Sequence, residues 1–137
     1  MEIQDEELSL DGWSLRAAPV EHVDPSIGLC LTDLERRVVV YSGDSDYCAS
    51  LVELARDADL AVLEASYPGS SKLAGHLTPQ LAGRVAREAG VRHLVLTHMY
   101  PQCDDHDLLS EVRLSGFEGE AELAFDGQTL EVQQPRA

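Results

Sequence analysis

The chain has 137 residues, 44% of them hydrophobic, and a formal net charge of -15 from 25 acids against 10 bases. That is enough for one domain with a buried core and too little for two, so residues 1–137 read as a single domain. The charge leaves little from which to build the basic face that grips nucleic-acid phosphates or an anionic membrane.

No run of about eighteen apolar residues exists, so no membrane span is expected. The start, Met1-Glu2-Ile3-Gln4-Asp5-Glu6-Glu7, lacks the basic and apolar regions of a signal peptide. Cys30, Cys48 and Cys103 are odd in number and form no Cys-x-x-Cys pair. A disulfide framework or thiolate zinc site is therefore not expected, and the expected compartment is a reducing cytoplasm.

Glu7–Leu10 and Trp13–Ala17 flank Asp11-Gly12, which predicts a β-hairpin. Pro19 to Pro25 is a loop holding His22. Ile27–Leu31 and Val38–Tyr41 read as two further strands joined by a polar link. Ser45 or Asp46 then suits the cap of a helix over roughly 47–57. Leu60–Glu64 is a buried strand, and Tyr67 to Gly75 a loop. Thr78-Pro79 opens a helix that Gly90 ends, with Leu81, Val85 and Ala89 as its stripe. Leu94–Leu96 is the next strand. Asp104 or Asp105 opens a third helix through about 115. Ala121–Phe125 and Thr129–Val132 read as strands around Asp126-Gly127. The class is α/β or α+β, with β-rich ends and β-α-β units in the middle.

Asp44, Glu64 and His98 each close a strand of that β-α-β series. Parallel strands place all three at one edge, the carboxyl edge where α/β sheets build their sites. His76 leads into the helix between the second and third of these strands and so lies at the same edge. His22 is a hairpin's length from Asp44 and can return there. His93 starts its strand at the opposite end, and His106 sits in the acidic run Asp104-Asp105-His106-Asp107. Each residue alone has an ordinary reading: Asp44 as a turn aspartate, Glu64 as a surface carboxylate, His76 and His98 as loop or strand-end residues. Three imidazoles and two carboxylates at one edge look instead like a hydrolytic metal site.

Five stretches carry a resemblance. They are Pro19-Val20-Glu21-His22-Val23-Asp24-Pro25-Ser26-Ile27-Gly28, Val40-Tyr41-Ser42-Gly43-Asp44-Ser45, Leu63-Glu64-Ala65-Ser66, Gly75-His76-Leu77-Thr78 and Leu94-Val95-Leu96-Thr97-His98. In order and spacing the chain resembles the C-terminal half of the metallo-β-lactamase-fold hydrolases, nearest the ribonuclease Z-like and arylsulfatase-like phosphodiesterase branch. The resemblance covers about residues 13–132. It implies half of an αββα sandwich, a mixed β-sheet with helices on one face. It implies zinc, two ions per completed site, with His22 and His98 as ligands to different ions and Asp44 as the carboxylate bridging them. Glu64 and His76 look like the pair that assists proton transfer to the leaving group.

One departure stands out. The family's His-x-His-x-Asp-His signature, which lies in its N-terminal half, is absent from this chain. His22 with Asp44, or His98 with Asp44, supplies two ligands per metal, where a catalytic zinc usually takes three from protein. A lone half also leaves an apolar sheet face open, which marks a partner interface. The expected partner is a second copy of the chain or a separate N-terminal-half chain. The expected function is metal-dependent hydrolysis of a phosphodiester or similar ester once the site is completed. The alternative is a non-catalytic binding or assembly protein that retains the half fold.

Overall fold

The computed structural model describes residues 7–133. Asp11 and Gly12 both take positive φ, 41° and 90°, as a tight two-residue hairpin turn requires. They join strand β1 (Glu7–Leu10) to β2 (Trp13–Pro19). Strands β3 (Ile27–Thr32) and β4 (Val38–Tyr41) continue the antiparallel run. From β4 onward the pairing is parallel, through β5 (Leu60–Glu64), β6 (His93–Thr97) and β7 (Glu120–Leu123). The seven strands lie in sequential order. A parallel series that steps always in one direction with right-handed crossovers must put its helices on one face.

That face is the core. Cys30, Val40, Ala61, Leu94 and Ala121 are register partners across β3 to β7, and all belong to or pack against one buried cluster. Helices α1 (Ala49–Leu54), α2 (Pro79–Ala89) and α3 (Leu108–Leu114) cover it. Helix α2 forms as its punctuation predicts: the Thr78 hydroxyl accepts from the Leu81 N–H at 3.2 Å, Pro79 fills the first turn, and Gly90 ends it at φ 75°. Its buried stripe is Ala82, Val85, Ala86 and Ala89, with Leu81 at the margin.

The opposite face stays largely uncovered. Leu8, Leu15, Leu31 and Val39 are register partners there, and Leu29, Tyr41 and Val62 form a second row. Trp13 and Tyr41 are 48% and 47% exposed, too much for core residues of a closed domain. Toward β7 the face turns acidic, and Glu131, Val132 and Gln133 line a cleft there with Leu60, His93 and Glu120. No helix among the described residues is long and apolar enough to cross a membrane.

Three expectations need correction. Neither Ser45 nor Asp46 caps α1; the helix starts later, at Ala49, behind Cys48, which makes no side-chain cap bond. The Ser45 hydroxyl donates to the Asp46 carbonyl, and the Asp46 carboxylate is held by Lys72 and Gly75, so neither side chain is available as a cap. Helix α3 is capped by Asp107, whose side chain accepts from the Ser110 N–H at 3.1 Å; Asp104 follows a 3₁₀ turn, Pro101–Cys103. Residues 129–132 form no strand, although Asp126-Gly127 does make a turn.

Candidate functional site

Parallel pairing of β4, β5 and β6 brings their carboxyl ends to one edge, as the sequence implied. Glu64 stands level with Thr97, so His98 leaves β6 one residue beyond the end of β5. The chain turns sharply at both flanking exits: Gly43 takes φ 59°, and so does His98, a conformation that costs a non-glycine residue about 1 kcal/mol or more. At β4 the turn is pinned across strands, with the Ser42 N–H on the Val62 carbonyl and the Ser42 hydroxyl accepting from the Glu64 N–H at 3.0 Å.

Asp44 lies between two imidazoles. Its Oδ2 is 3.8 Å from His22 Nε2, and its Oδ1 is 3.6 Å from His98 Nδ1. Both separations exceed hydrogen-bond length. Ligands held at about 2.1 Å on one tetrahedral zinc lie roughly 3.4 Å apart, so the His22–Asp44 spacing suits a pair sharing an ion.

Glu64 is 1% exposed and fully engaged. Oε1 accepts from the Ser45 N–H at 3.1 Å and from His76 Nδ1–H at 2.8 Å; Oε2 accepts from the Ser66 N–H at 3.0 Å and the Ser66 hydroxyl at 2.7 Å. Ser66 has one hydroxyl proton and gives it to Glu64. Its oxygen therefore accepts from His98 Nδ1, 2.9 Å away. His22 Nδ1 donates to the Gly75 carbonyl at 2.8 Å.

One pattern emerges. All three rings are tied through Nδ1, to a carbonyl, a carboxylate and a hydroxyl, which leaves each Nε2 with its lone pair. Metal-binding histidines are fixed in this way, the second nitrogen donating to a neighbouring acceptor. The His22 and His76 ring centroids are 4.8 Å apart, and those of His76 and His98 6.1 Å. Among the described residues, Glu64, His76 and His98 also offer ligand atoms within 4.8 Å of one another, a partial metal-binding group. The Ser66 hydroxyl lies within hydrogen-bond distance of all three, 2.7 Å from Glu64, 3.1 Å from His76 Nδ1 and 2.9 Å from His98 Nδ1, and so already bridges them.

Sequence reasoning placed His22, Asp44, Glu64, His76 and His98, and the fold brings all five together. His93 lies at the far end of β6, where Nε2 is 2.7 Å from Glu122, and His106 pairs instead with Glu111 at 3.4 Å. Ser66 was quoted as part of a motif but not singled out as the link between Glu64 and His98. Tyr67 and Tyr100 were also missed. They meet edge to face at 5.1 Å and flank His76 and His98.

Two nearby groups are not reactive centres. Burial pushes the Cys103 thiol up, and its Sγ–H points to the carbonyls of Ala65 and Ser66. Partial burial works against ionisation of Asp46, yet the bonds from Lys72 and from the Gly75 and Tyr47 N–H groups outweigh it and hold the carboxyl below the ordinary range.

This geometry agrees with what the chain matches. A sequence model described as a Beta-lactamase superfamily domain covers residues 1–99. The chain belongs to the metallo-β-lactamase superfamily. An uncharacterized protein of Mycobacterium leprae is 41% identical over 118 residues, 85% of this chain and 41% of the relative. A ribonuclease Z of Myxococcus xanthus is 43% identical over 103 residues, 71% of this chain and 33% of the relative. Among solved structures, the metallo-β-lactamase fold protein YhfI of Bacillus subtilis superimposes with a TM-score of 0.84 at 29% identity, over 93% of this chain and 53% of that one. The chain thus spans about half or less of the length of these relatives. The α/β fold, a seven-stranded mixed sheet with helices on one face, corresponds to roughly half of a metallo-β-lactamase-fold structure.

Proposed function

We propose that this chain forms one half of a zinc-dependent hydrolase acting on phosphodiesters or similar esters. The observation that carries the reading is Asp44 set between two imidazoles, with Oδ2 facing His22 Nε2, left free by the Nδ1 bond to Gly75, and Oδ1 facing His98 on its Nδ1 side. His22, Asp44 and His98 would hold two ions, with Asp44 common to both. Zinc bound there supplies Lewis acidity and lowers the pKa of water to near neutrality.

The chain's own residues then divide the work. His22 and His98 hold fixed ring orientations through Gly75 and Ser66. His76, once protonated on Nε2 as well, would deliver that proton to the departing oxygen. Glu64 keeps that ring in place and offsets the positive charge it carries when protonated. Tyr67 and Tyr100 wall the site beside these rings and limit the approach of water.

Completion requires a second sheet. The uncovered face of β1 to β5 is apolar, and the chain spans only about half of its relatives. A half bearing the His-x-His-x-Asp-His ligands, from another chain or from further residues of the same protein, would cover that face and supply the missing donors. A second copy would cover the face without those donors. Trp13, the only tryptophan, reports on the covering. Association is expected to raise the mass seen by light scattering and to shift the Trp13 emission to shorter wavelength. Alone, the chain should turn over bis-p-nitrophenyl phosphate slowly or not at all with added zinc or manganese, since two protein ligands hold an ion loosely. A stable monomer at micromolar concentration that binds no hydrophobic dye would contradict the association. Brisk turnover by that monomer, unaffected by Asp44→Ala, would contradict the site.

The same open face favours one second reading, an assembly module without chemistry. Zinc content separates the two: close to two ions per completed site for the hydrolase, none or a small fraction for the module.

A further inference from the structure

The loops carrying His22, Asp44 and His76 share one tether. Asp46 lies two residues beyond Asp44. Its backbone N–H donates to the Glu21 carbonyl at 2.7 Å, and the two residues form an isolated antiparallel bridge just before His22. Its side chain reaches the third loop: Oδ2 accepts from the Gly75 N–H at 3.0 Å and from Lys72 Nζ at 2.8 Å. Gly75 is the residue whose carbonyl receives His22 Nδ1–H, and His76 follows it.

Lys72 is the only lysine in the chain. Besides Asp46, its ammonium donates to the carbonyls of Leu73, at 2.9 Å, and His76. An ammonium has three N–H donors, and three acceptors take them all. Lys72 therefore serves the loop and has no donor left for a substrate phosphate. At its start the loop is held by the Gly69 N–H on the Glu111 carboxylate at 3.2 Å, but residues 69–74 are all exposed, so no buried apolar side chain anchors the stretch that leads to Gly75. Gly75 cannot hold its own position through a side chain. It takes φ 87°, and a Cβ there would lie 3.1 Å from His22 Nδ1.

We infer that Asp46 and Lys72 are a positioning pair that holds the Gly75 carbonyl against His22 Nδ1, so that His22 presents Nε2 toward Asp44. Neither side chain touches the reacting atoms. The role of the positioned ring rests on the hydrolase reading above; the positioning itself does not require a metal.

The test uses the purified protein labelled with ¹⁵N in its histidines. Long-range ¹H–¹⁵N spectra report which ring nitrogen carries the proton. In the metal-free wild type, His22 is expected as the Nδ1–H tautomer alone. In Asp46→Ala and in Lys72→Met it is expected to become a mixture of both tautomers, while His93, tied to Glu122 at the far end of β6, keeps its wild-type signals and reports an intact fold. Zinc affinity, measured by competition with a chelating dye, should fall about 10- to 100-fold in each variant. It should fall no further in the double variant, because both changes release the same loop. An unchanged His22 tautomer in both variants overturns the inference. So does a loss of thermal stability with zinc affinity at the wild-type value. If the wild type itself binds no zinc, the hydrolase reading fails, and the tautomer measurement still decides the positioning role.

Discussion

Replacing Asp44 by alanine is expected to remove zinc and turnover together while leaving the fold nearly untouched. The Asp44 side chain is 40% exposed, and its oxygens face His22 and His98 at 3.8 and 3.6 Å rather than forming short bonds. Truncation thus strands no buried donor, and the stability change should stay within about 0.5 kcal/mol. Function should respond very differently. Loss of a partner that merely orients a ligand typically costs 10–100-fold in metal affinity or activity. Asp44 would be a ligand common to both ions, so in the completed enzyme its loss should exceed about a hundredfold in both. His76→Ala should separate the two readouts, slowing turnover with zinc content retained. Zinc content by atomic absorption, beside initial rates on bis-p-nitrophenyl phosphate, checks both variants.

Glu64 should show the reverse balance. All four groups around its carboxylate are donors: the Ser45 and Ser66 N–H groups, the Ser66 hydroxyl and His76 Nδ1–H. Glu64→Ala leaves two buried backbone N–H groups without an acceptor, at about 1–3 kcal/mol each, and opens a cavity besides. A loss of about 3–5 kcal/mol is expected, a large share of the stability of a small domain. Glu64→Gln is the sharper probe. It preserves volume, yet wherever its NH₂ is placed it meets a backbone donor, so it should still cost about 2–3 kcal/mol. Urea denaturation gives both numbers. A Gln variant as stable as wild type would mean that the carboxylate is not held as described.

How much of this was legible in the sequence depended on the range of the interaction. Strands β4, β5 and β6 announced themselves by local apolar runs, and their parallel order followed from the alternation with helices. That alone brought Asp44, Glu64 and His98 to one edge. Thr78, Pro79 and Gly90 marked α2 because capping is a local matter. Ser45 and Asp46 looked equally like caps, and there local reasoning failed. The Ser45 hydroxyl turns to the carbonyl of its own neighbour, Asp46, and the Asp46 carboxylate answers to Lys72 and Gly75 across 26 and 29 positions. Ser66 was not singled out for a related reason: nothing local says that one hydroxyl will link Glu64 to His98, 32 residues on. At the C-terminal end, Asp126-Gly127 correctly signalled a turn, but residues 129–132, read as the strand beyond that turn, form none.

The open sheet face was foreseen from the missing half, and the register rows from Leu8 to Val39 and from Leu29 to Val62 give it substance. What covers it is a matter for the association experiments. Whether the edge residues hold metal is the more basic question. The most direct measurement is anomalous diffraction at the zinc absorption edge from crystals soaked in millimolar zinc. The account predicts density within coordination distance of Asp44, on the side facing His22 Nε2 or His98, and its loss in Asp44→Ala crystals. Zinc bound only at surface carboxylates, with none at Asp44, would contradict it.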